Sequence, residues 1–153
     1  MSKRICVFCA SMDGVRPEYR AAASAFGAAA AERGWTIVYG GGKVGLMGAV
    51  ADAALAHGGK VVGVIPRALV EKEIAHAGLT ELHVTETMHQ RKALMADISD
   101  AVITLPGGFG TLDEIAELVT WAQLGYHRKA LVLLNTANFF APFIAYFDHI
   151  AQE

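Results

Sequence analysis

Three features of this sequence carry chemistry. The first is a glycine-rich run, Pro106-Gly-Gly-Phe-Gly-Thr111. It follows a short apolar stretch, Ala101–Leu105, and precedes a helical pattern from Thr111 to Leu124, with Ile115, Leu118, Val119 and Ala122 on one stripe. Strand, glycine loop and helix start together make a phosphate cradle, because free backbone N–H groups and the positive end of the helix dipole meet the anion. Gly107, Gly108 and Gly110 are expected to let the chain turn sharply and approach a ligand closely. The second feature is Glu114, which borders the apolar stripe of that helix. A carboxylate held there, partly out of water, suits the stabilisation of a developing positive charge. Thr111-Leu-Asp-Glu114 also has the form of a capping box, which would give Glu114 a purely structural role. Both readings of Glu114 stand at this level.

The third feature is Arg91. Thr87-Met-His-Gln90 is a capping-box pattern opening a helix that runs to about Ser99. Arg91 and Lys92 sit near its start, where cations oppose the dipole. Arg91 shares a face with Met88, Met95 and Ile98, so it points toward the apolar side. An arginine so placed needs an anion, and broken local rules tend to mark functional sites. A side chain snorkelling past the sheet edge is the structural alternative.

The elements that must position these groups alternate along the chain. Strands are expected at Arg4–Cys9, Thr36–Tyr39, Lys60–Ile65, Glu81–Thr85, Ala101–Leu105 and Lys129–Leu134. Helices are expected from Pro17 to Arg33 with Gly34 as the stop, from the second glycine loop to His57, and from Asn138 to Gln152. This is the pattern of an α/β protein with a doubly wound parallel sheet, Rossmann-like, as a single domain over 1–153. The loops at 10–14, 40–45, 66–79 and 106–111 all leave carboxyl ends of strands, where such sheets bind ligands. Gly40, Gly42 and Gly45 have G-x-G-x-x-G spacing, which alone is weak. The loop reads either as a tight βα turn or, since a second such loop lies at 106–111, as a ligand contact through Gly42. No acidic residue closes the next strand, as a dinucleotide site would want. Segment 66–79, with a short helix through Leu69–Glu73, reads either as a binding loop or as a surface connector.

Composition narrows the function classes. The chain has 153 residues, 54% of them hydrophobic, and a net charge of −2. One sizeable core fits this length. The charge argues against a general nucleic-acid or membrane-surface binder, so phosphate recognition has to be local. The apolar run Ile5–Ala10 is too short for a signal peptide or a membrane span, and a cytoplasmic protein is expected. Cys6 and Cys9 are three apart on a strand and face opposite sides, as reduced core thiols rather than a redox pair. The six histidines show no metal-ligand spacing.

Pro106-Gly-Gly-Phe-Gly-Thr-Leu-Asp-Glu114 resembles the P-G-G-x-G-T-x-x-E signature of the LOG ("Lonely Guy") proteins, which are cytokinin riboside 5′-monophosphate phosphoribohydrolases long mislabelled lysine decarboxylases. Tyr39–Gly48, Gly63–Pro66, Met88–Lys92 and Thr120–Gly125 carry the resemblance across nearly the whole chain. It implies hydrolysis of the N-glycosidic bond between an N6-modified adenine and ribose 5′-monophosphate, with no metal or cofactor. It implies a catalytic pair at Arg91 and Glu114. Implied substrate contacts are Gly108, Gly110, Thr111 and Thr120, with Glu73 and Lys92 in the same pocket; Gly107, Gly42, Met88 and Arg91 are expected to join them there. It also implies a homodimer with the site near the subunit contact, and a nucleoside monophosphate as the only small-molecule partner.

The chain departs from the family at Lys43, where serine is common, and at Ala10-Ser11-Met12, where Gly-Ser-Ser is common. Both lie on the expected rim and bear on base specificity. Family members commonly continue past the equivalent of Glu153, so the closing segment is expected to be absent. The alternative function is a nucleotide-binding sensor or carrier with the same cradle and no turnover, which has no need of Arg91 on an apolar face. A decarboxylase needs a cofactor-bearing lysine, and no lysine is placed for it.

Overall fold

In the computed structural model, which describes residues 2–153, six parallel strands form one sheet in the order β4-β3-β2-β1-β5-β6. The strands are β1 Arg4–Phe8, β2 Thr36–Tyr39, β3 Lys60–Pro66, β4 Glu81–Thr85, β5 Ala101–Thr104 and β6 Leu131–Leu133. The helices are α1 Pro17–Glu32, α2 Gly45–Ala56, α3 Met88–Asp97, α4 Phe109–Gln123 and α5 Ala141–Gln152. The expected doubly wound α/β sheet is what forms. Its central strands, β1, β2 and β3, are buried almost throughout, which is why they read as continuous apolar runs.

The sheet carries a core on each face. Val7, Cys9, Ile37 and Tyr39 point to the side covered by α1 and α2. Cys6, Phe8, Val38, Val62 and Val64 point to the other side, against Met95 of α3 and Ile115 and Leu118 of α4. The two cysteines are thus free, buried and on opposite faces. Helix α1 buries Tyr19, Ala23, Gly27 and Ala30, one residue per turn, and its small side chains allow α2 to approach closely.

Register places the site. β1 pairs with β2 on one side and β5 on the other, Val7 lying beside both Tyr39 and Ile103. The connection leaving β1 goes to α1 on one face, and that leaving β5 goes to α4 on the other. A crevice opens where the two diverge, at the carboxyl ends.

Several boundaries differ from the sequence expectation for identifiable reasons. Pro66 continues β3 opposite Thr85, whereas it was expected to end the strand. The connection from β3 to β4 contains only a 3₁₀ turn at Arg67–Leu69, not a helix through Glu73. Helix α5 begins at Ala141 rather than Asn138, because Ala137 and Asn138 have φ of 51° and 59°, and Asn135 Oδ1 accepts the Phe140 N–H. Helix α4 begins at Phe109, two residues early, so Thr111 lies inside it. No side chain caps its start, and the Thr111–Glu114 capping box is not made. The Thr87–Gln90 box at the start of α3 is made from both ends.

Gly27 tests the closeness of the α1–α2 contact. An added Cβ would sit 2.3 Å from Val50 O. Glycine to alanine inside a helix normally gains ~1 kcal/mol. Here the clash is with backbone and wins, so Gly27→Ala should destabilise by about 1–3 kcal/mol. Urea unfolding followed by circular dichroism reads this as a lowered midpoint at an unchanged slope.

Candidate active site

A cavity of about 480 Å³ occupies the crevice, lined by the ends of β1 and β5, the starts of α2 and α4, and residues of α3 and of segment 66–79. Its lining includes Glu73, Met88, Arg91, Gly107, Gly108, Gly110, Thr111 and Glu114. The structure thus brings eight of the sequence-derived site residues to one space.

Arg91 reaches it from the first turns of α3 and is 3% exposed. Its Nε donates to Val64 O at 2.9 Å, and one terminal nitrogen donates to Gly40 O at 2.6 Å and Glu73 Oε2 at 3.0 Å. These bonds fix the guanidinium beneath the carboxyl ends of β2 and β3. It does not snorkel. The anion that Arg91 needs is the Glu73 carboxylate, because segment 66–79 folds back over the same strand ends.

That segment is held by backbone. Lys43 N–H donates to Ile74 O, His76 N–H donates to Gly41 O, and Gly42 bridges to Ala75. His76 is buried and its Nε2 meets Asp52 Oδ1 at 2.8 Å. Ile74, directly after Glu73, has a φ of 49°, strained for a β-branched residue. The strain accompanies the turn that delivers Glu73 to Arg91.

The second glycine loop therefore serves packing more than ligand contact. A Cβ on Gly40 would lie 2.3 Å from an Arg91 nitrogen, and one on Gly45, whose φ is +65°, would lie 2.3 Å from Met12 N. Gly42 does not line the cavity; its carbonyl accepts the Tyr39 hydroxyl and its backbone meets Ala75. Leu46 and Met47, at the start of α2, are this loop's contribution to the lining.

The first glycine loop differs. Gly107, Gly108 and Gly110 do not have positive φ, so a sharp turn is not why glycine stands there. A Cβ on Gly107 would lie 2.0 Å from the Thr111 hydroxyl oxygen, so this glycine makes room for the buried threonine. Cβ atoms on Gly108 or Gly110 would meet no protein atom within 4 Å. That side is open for a ligand at the uncapped start of α4.

Glu114 makes no side-chain hydrogen bond or ion pair among the described residues. Its pKa is pushed up to about 7, chiefly by loss of hydration; nearby Arg91 opposes this and Glu73 adds to it. Burial likewise pushes the Cys9 thiol, in the cavity lining, well above its usual range.

Two expected contacts lie elsewhere. Lys92 faces α4, its ammonium on Asp113 and Glu117 at 3.0 Å each, and does not line the cavity. The Thr120 hydroxyl donates to Ala116 O within α4, on an exposed position away from the lining. Conversely, Tyr19 and Phe139 line the cavity, their rings edge to face at 5.6 Å, and neither was singled out in the sequence. Phe139 lies just beyond the carboxyl end of β6, the signal that could have found it. Among the described residues no group of three or more His, Cys, Asp or Glu side chains is placed to hold a metal ion.

A family model described as "Possible lysine decarboxylase" matches residues 47–153. A cytokinin riboside 5′-monophosphate phosphoribohydrolase from Rhodococcoides fascians is 51% identical over 152 residues, which cover 99% of this chain and 77% of that protein. The chain belongs to the LOG family. The family's rice representative, cytokinin riboside 5′-monophosphate phosphoribohydrolase LOG from Oryza sativa subsp. japonica, is 46% identical over 151 residues. Those residues cover 99% of this chain and 62% of the rice protein. The LOG fold is shared with a solved structure of the molybdenum cofactor carrier protein from Chlamydomonas reinhardtii, at a TM-score of 0.77 and 24% identity, covering 97% of this chain and 86% of that one.

Two predictions follow from this geometry. Gly40→Ala pushes the guanidinium of Arg91 out of its seat, so activity of the protein should fall by about tenfold or more while the fold survives; a crystal structure of the variant should show Arg91 displaced. Glu114 has a folded pKa above its unfolded value, so the folded state holds the proton more tightly. Its charged form therefore costs stability as pH rises from about 4.5 through about 7. Relative to wild type, Glu114→Gln should gain in Tm between pH 5 and pH 8. Parallel melting curves that keep a constant offset would contradict the raised pKa.

Proposed function

We propose that this chain hydrolyses the N-glycosidic bond of N6-substituted adenosine 5′-monophosphates, releasing the free base and ribose 5-phosphate. The observation that carries the reading is the meeting of Arg91 and Glu114, from separate helices, in the lining of one cavity with the open glycines of α4. The names of the relatives from Rhodococcoides fascians and rice support the same substrate class.

In this mechanism the phosphate sits at the start of α4, against the N–H groups around Gly108 and Gly110, and so fixes the ribose. The C1′–N9 bond lengthens and positive charge builds on the ribose, as in sugar hydrolysis generally. The Glu114 carboxylate stabilises that charge and orients water for attack on C1′. Water supplies the hydroxyl to C1′, and its remaining proton balances the departing base. Arg91, held rigid by Gly40, Val64 and Glu73, lends positive potential that keeps part of Glu114 ionised at neutral pH.

A homodimer belongs to the same proposal. Leu112, Leu124 and Tyr126 on and after α4, and Ile144, Tyr146 and Ile150 on α5, are exposed apolar side chains that pairing would cover. A cytoplasmic setting is consistent with two unpaired cysteines and with the lack, among the described residues, of any helix long and apolar enough to cross a membrane. Decarboxylation of lysine is disfavoured, since no lysine lines the cavity.

Incubation with adenosine 5′-monophosphate and with a cytokinin riboside 5′-monophosphate, followed by chromatography, should yield free base and ribose 5-phosphate. Glu114→Gln keeps shape but not charge, and should lower kcat about a hundredfold or more. A variant that still binds the nucleotide and turns it over at the wild-type rate removes Glu114 from the mechanism. Binding without any release of base by the wild type would favour a nucleotide carrier instead.

A further inference from the structure

Lys92 follows Arg91 on α3 but faces α4 rather than the cavity. Its side chain is 7% exposed, and Nζ donates to Asp113 Oδ2 and Glu117 Oε2, each at 3.0 Å. Burial pulls its pKa down, yet the bonds to Asp113 and Glu117 outweigh this and hold the ammonium above its ordinary value. A lysine this deeply buried is rare. The carboxylates it grips reach solvent, Asp113 being 58% and Glu117 23% exposed, and ion pairs at the surface add little, so stability alone does not account for it.

Position does. Asp113 and Glu117 are one turn apart on α4 and share a face next to that of Glu114. Met95 and Ile98 of α3 and Ile115, Leu118 and Val119 of α4 otherwise belong to one apolar core on this face of the sheet, and apolar attraction is not directional. A cation gripping two carboxylates one turn apart does fix rotation.

We propose that Lys92 is a positioning residue: by clamping Asp113 and Glu117 it fixes the rotation of α4 about its axis, and with it where the Glu114 carboxylate stands relative to Arg91. The role in turnover rests on the hydrolase reading above; the clamp itself does not. The charged and titratable groups acting on Glu114 are Arg91 and Lys92 from α3, Glu73 from segment 66–79, Asp113 from its own helix, and the thiols of Cys6 and Cys9 from the β1 side. Removing the Lys92 ammonium leaves Asp113 and Glu117 unpaired beside Glu114 and drives its proton affinity up.

The test compares Lys92→Met, Lys92→Arg and the double variant Asp113→Asn with Glu117→Gln. Glu114 is titrated by carbon-13 NMR without substrate, its resonance assigned by its loss in Glu114→Gln. Turnover of a cytokinin riboside 5′-monophosphate is measured alongside. Lys92→Met should lower kcat about tenfold or more with KM within about twofold, and should raise the Glu114 titration point. Lys92→Arg should restore most of both. The double variant should lose kcat similarly while moving the titration point down, since it leaves an unpaired ammonium near Glu114. Wild-type kcat and an unmoved titration in Lys92→Met overturn the proposal, as does a loss that arginine fails to rescue and that tracks a fall in Tm. If Lys92→Met does not fold, the double variant decides by the same two readings. If the wild type hydrolyses no nucleotide, the hydrolase reading fails, and the NMR titrations alone judge the clamp.

Discussion

The burial of one guanidinium organises the carboxyl end of the sheet. Taking Arg91 out of water costs several kcal/mol before compensation. Two carbonyls, Gly40 O and Val64 O, and the Glu73 carboxylate provide that compensation. Each places a demand on the chain around it. Residue 40 must lack a side chain, because the guanidinium takes its space. Segment 66–79 must fold back to deliver Glu73, which it does through the Gly42–Ala75 bridge and the strained turn at Ile74. Helix α3 must start with a cation against its dipole, and its complete capping box supplies stability that the dipole withholds. Features that look unrelated along the sequence thus answer to a single side chain.

The same side chain divides two carboxylates into different states. Glu73 is in contact with Arg91 and forms an ion pair. Glu114 feels Arg91 only through the field and is left with a raised pKa. The dipole of α4 gives Glu114 little help, since the residue lies beyond the first turn of a helix that begins at Phe109. Its ionisation is set chiefly by burial, which disfavours the charge, and then by Arg91 on α3, which favours it, so the spatial relation of the two helices is a chemical variable and not only a packing one.

Much of this was legible in the sequence, and the parts that were not share a cause. Strand runs, helix stripes and the alternation of the two gave the sheet, because burial on both faces leaves a one-dimensional trace. Arg91 was legible because helical spacing put it among Met88, Met95 and Ile98. Lys92 was placed in the pocket by resemblance, beside Arg91, yet adjacency in a helix means a turn of about 100°. Where that turn points depends on which helix stands alongside, and only the sheet order reveals that. Glu73 was named by resemblance, but its bond to Arg91 depends on a loop path that no local pattern encodes. Thr120 and Gly42 likewise sit in the expected segments without lining the cavity.

The glycine motif itself combines two constraints that a sequence pattern cannot separate. At Gly107 the protein needs the space, for Thr111 lies where a side chain would go. At Gly108 and Gly110 the protein does not need it, for nothing lies within 4 Å. Neither position needs glycine for a left-handed backbone. What remains at these two is access: a Cβ would stand between the N–H groups at the start of α4 and whatever approaches them. Packing therefore accounts for the first glycine of the motif, whereas the other two leave open space at the helix start, where the proposed mechanism seats the phosphate. That helix start and Glu114 line the same cavity, so in the proposed mechanism the cradle and the carboxylate act on one substrate.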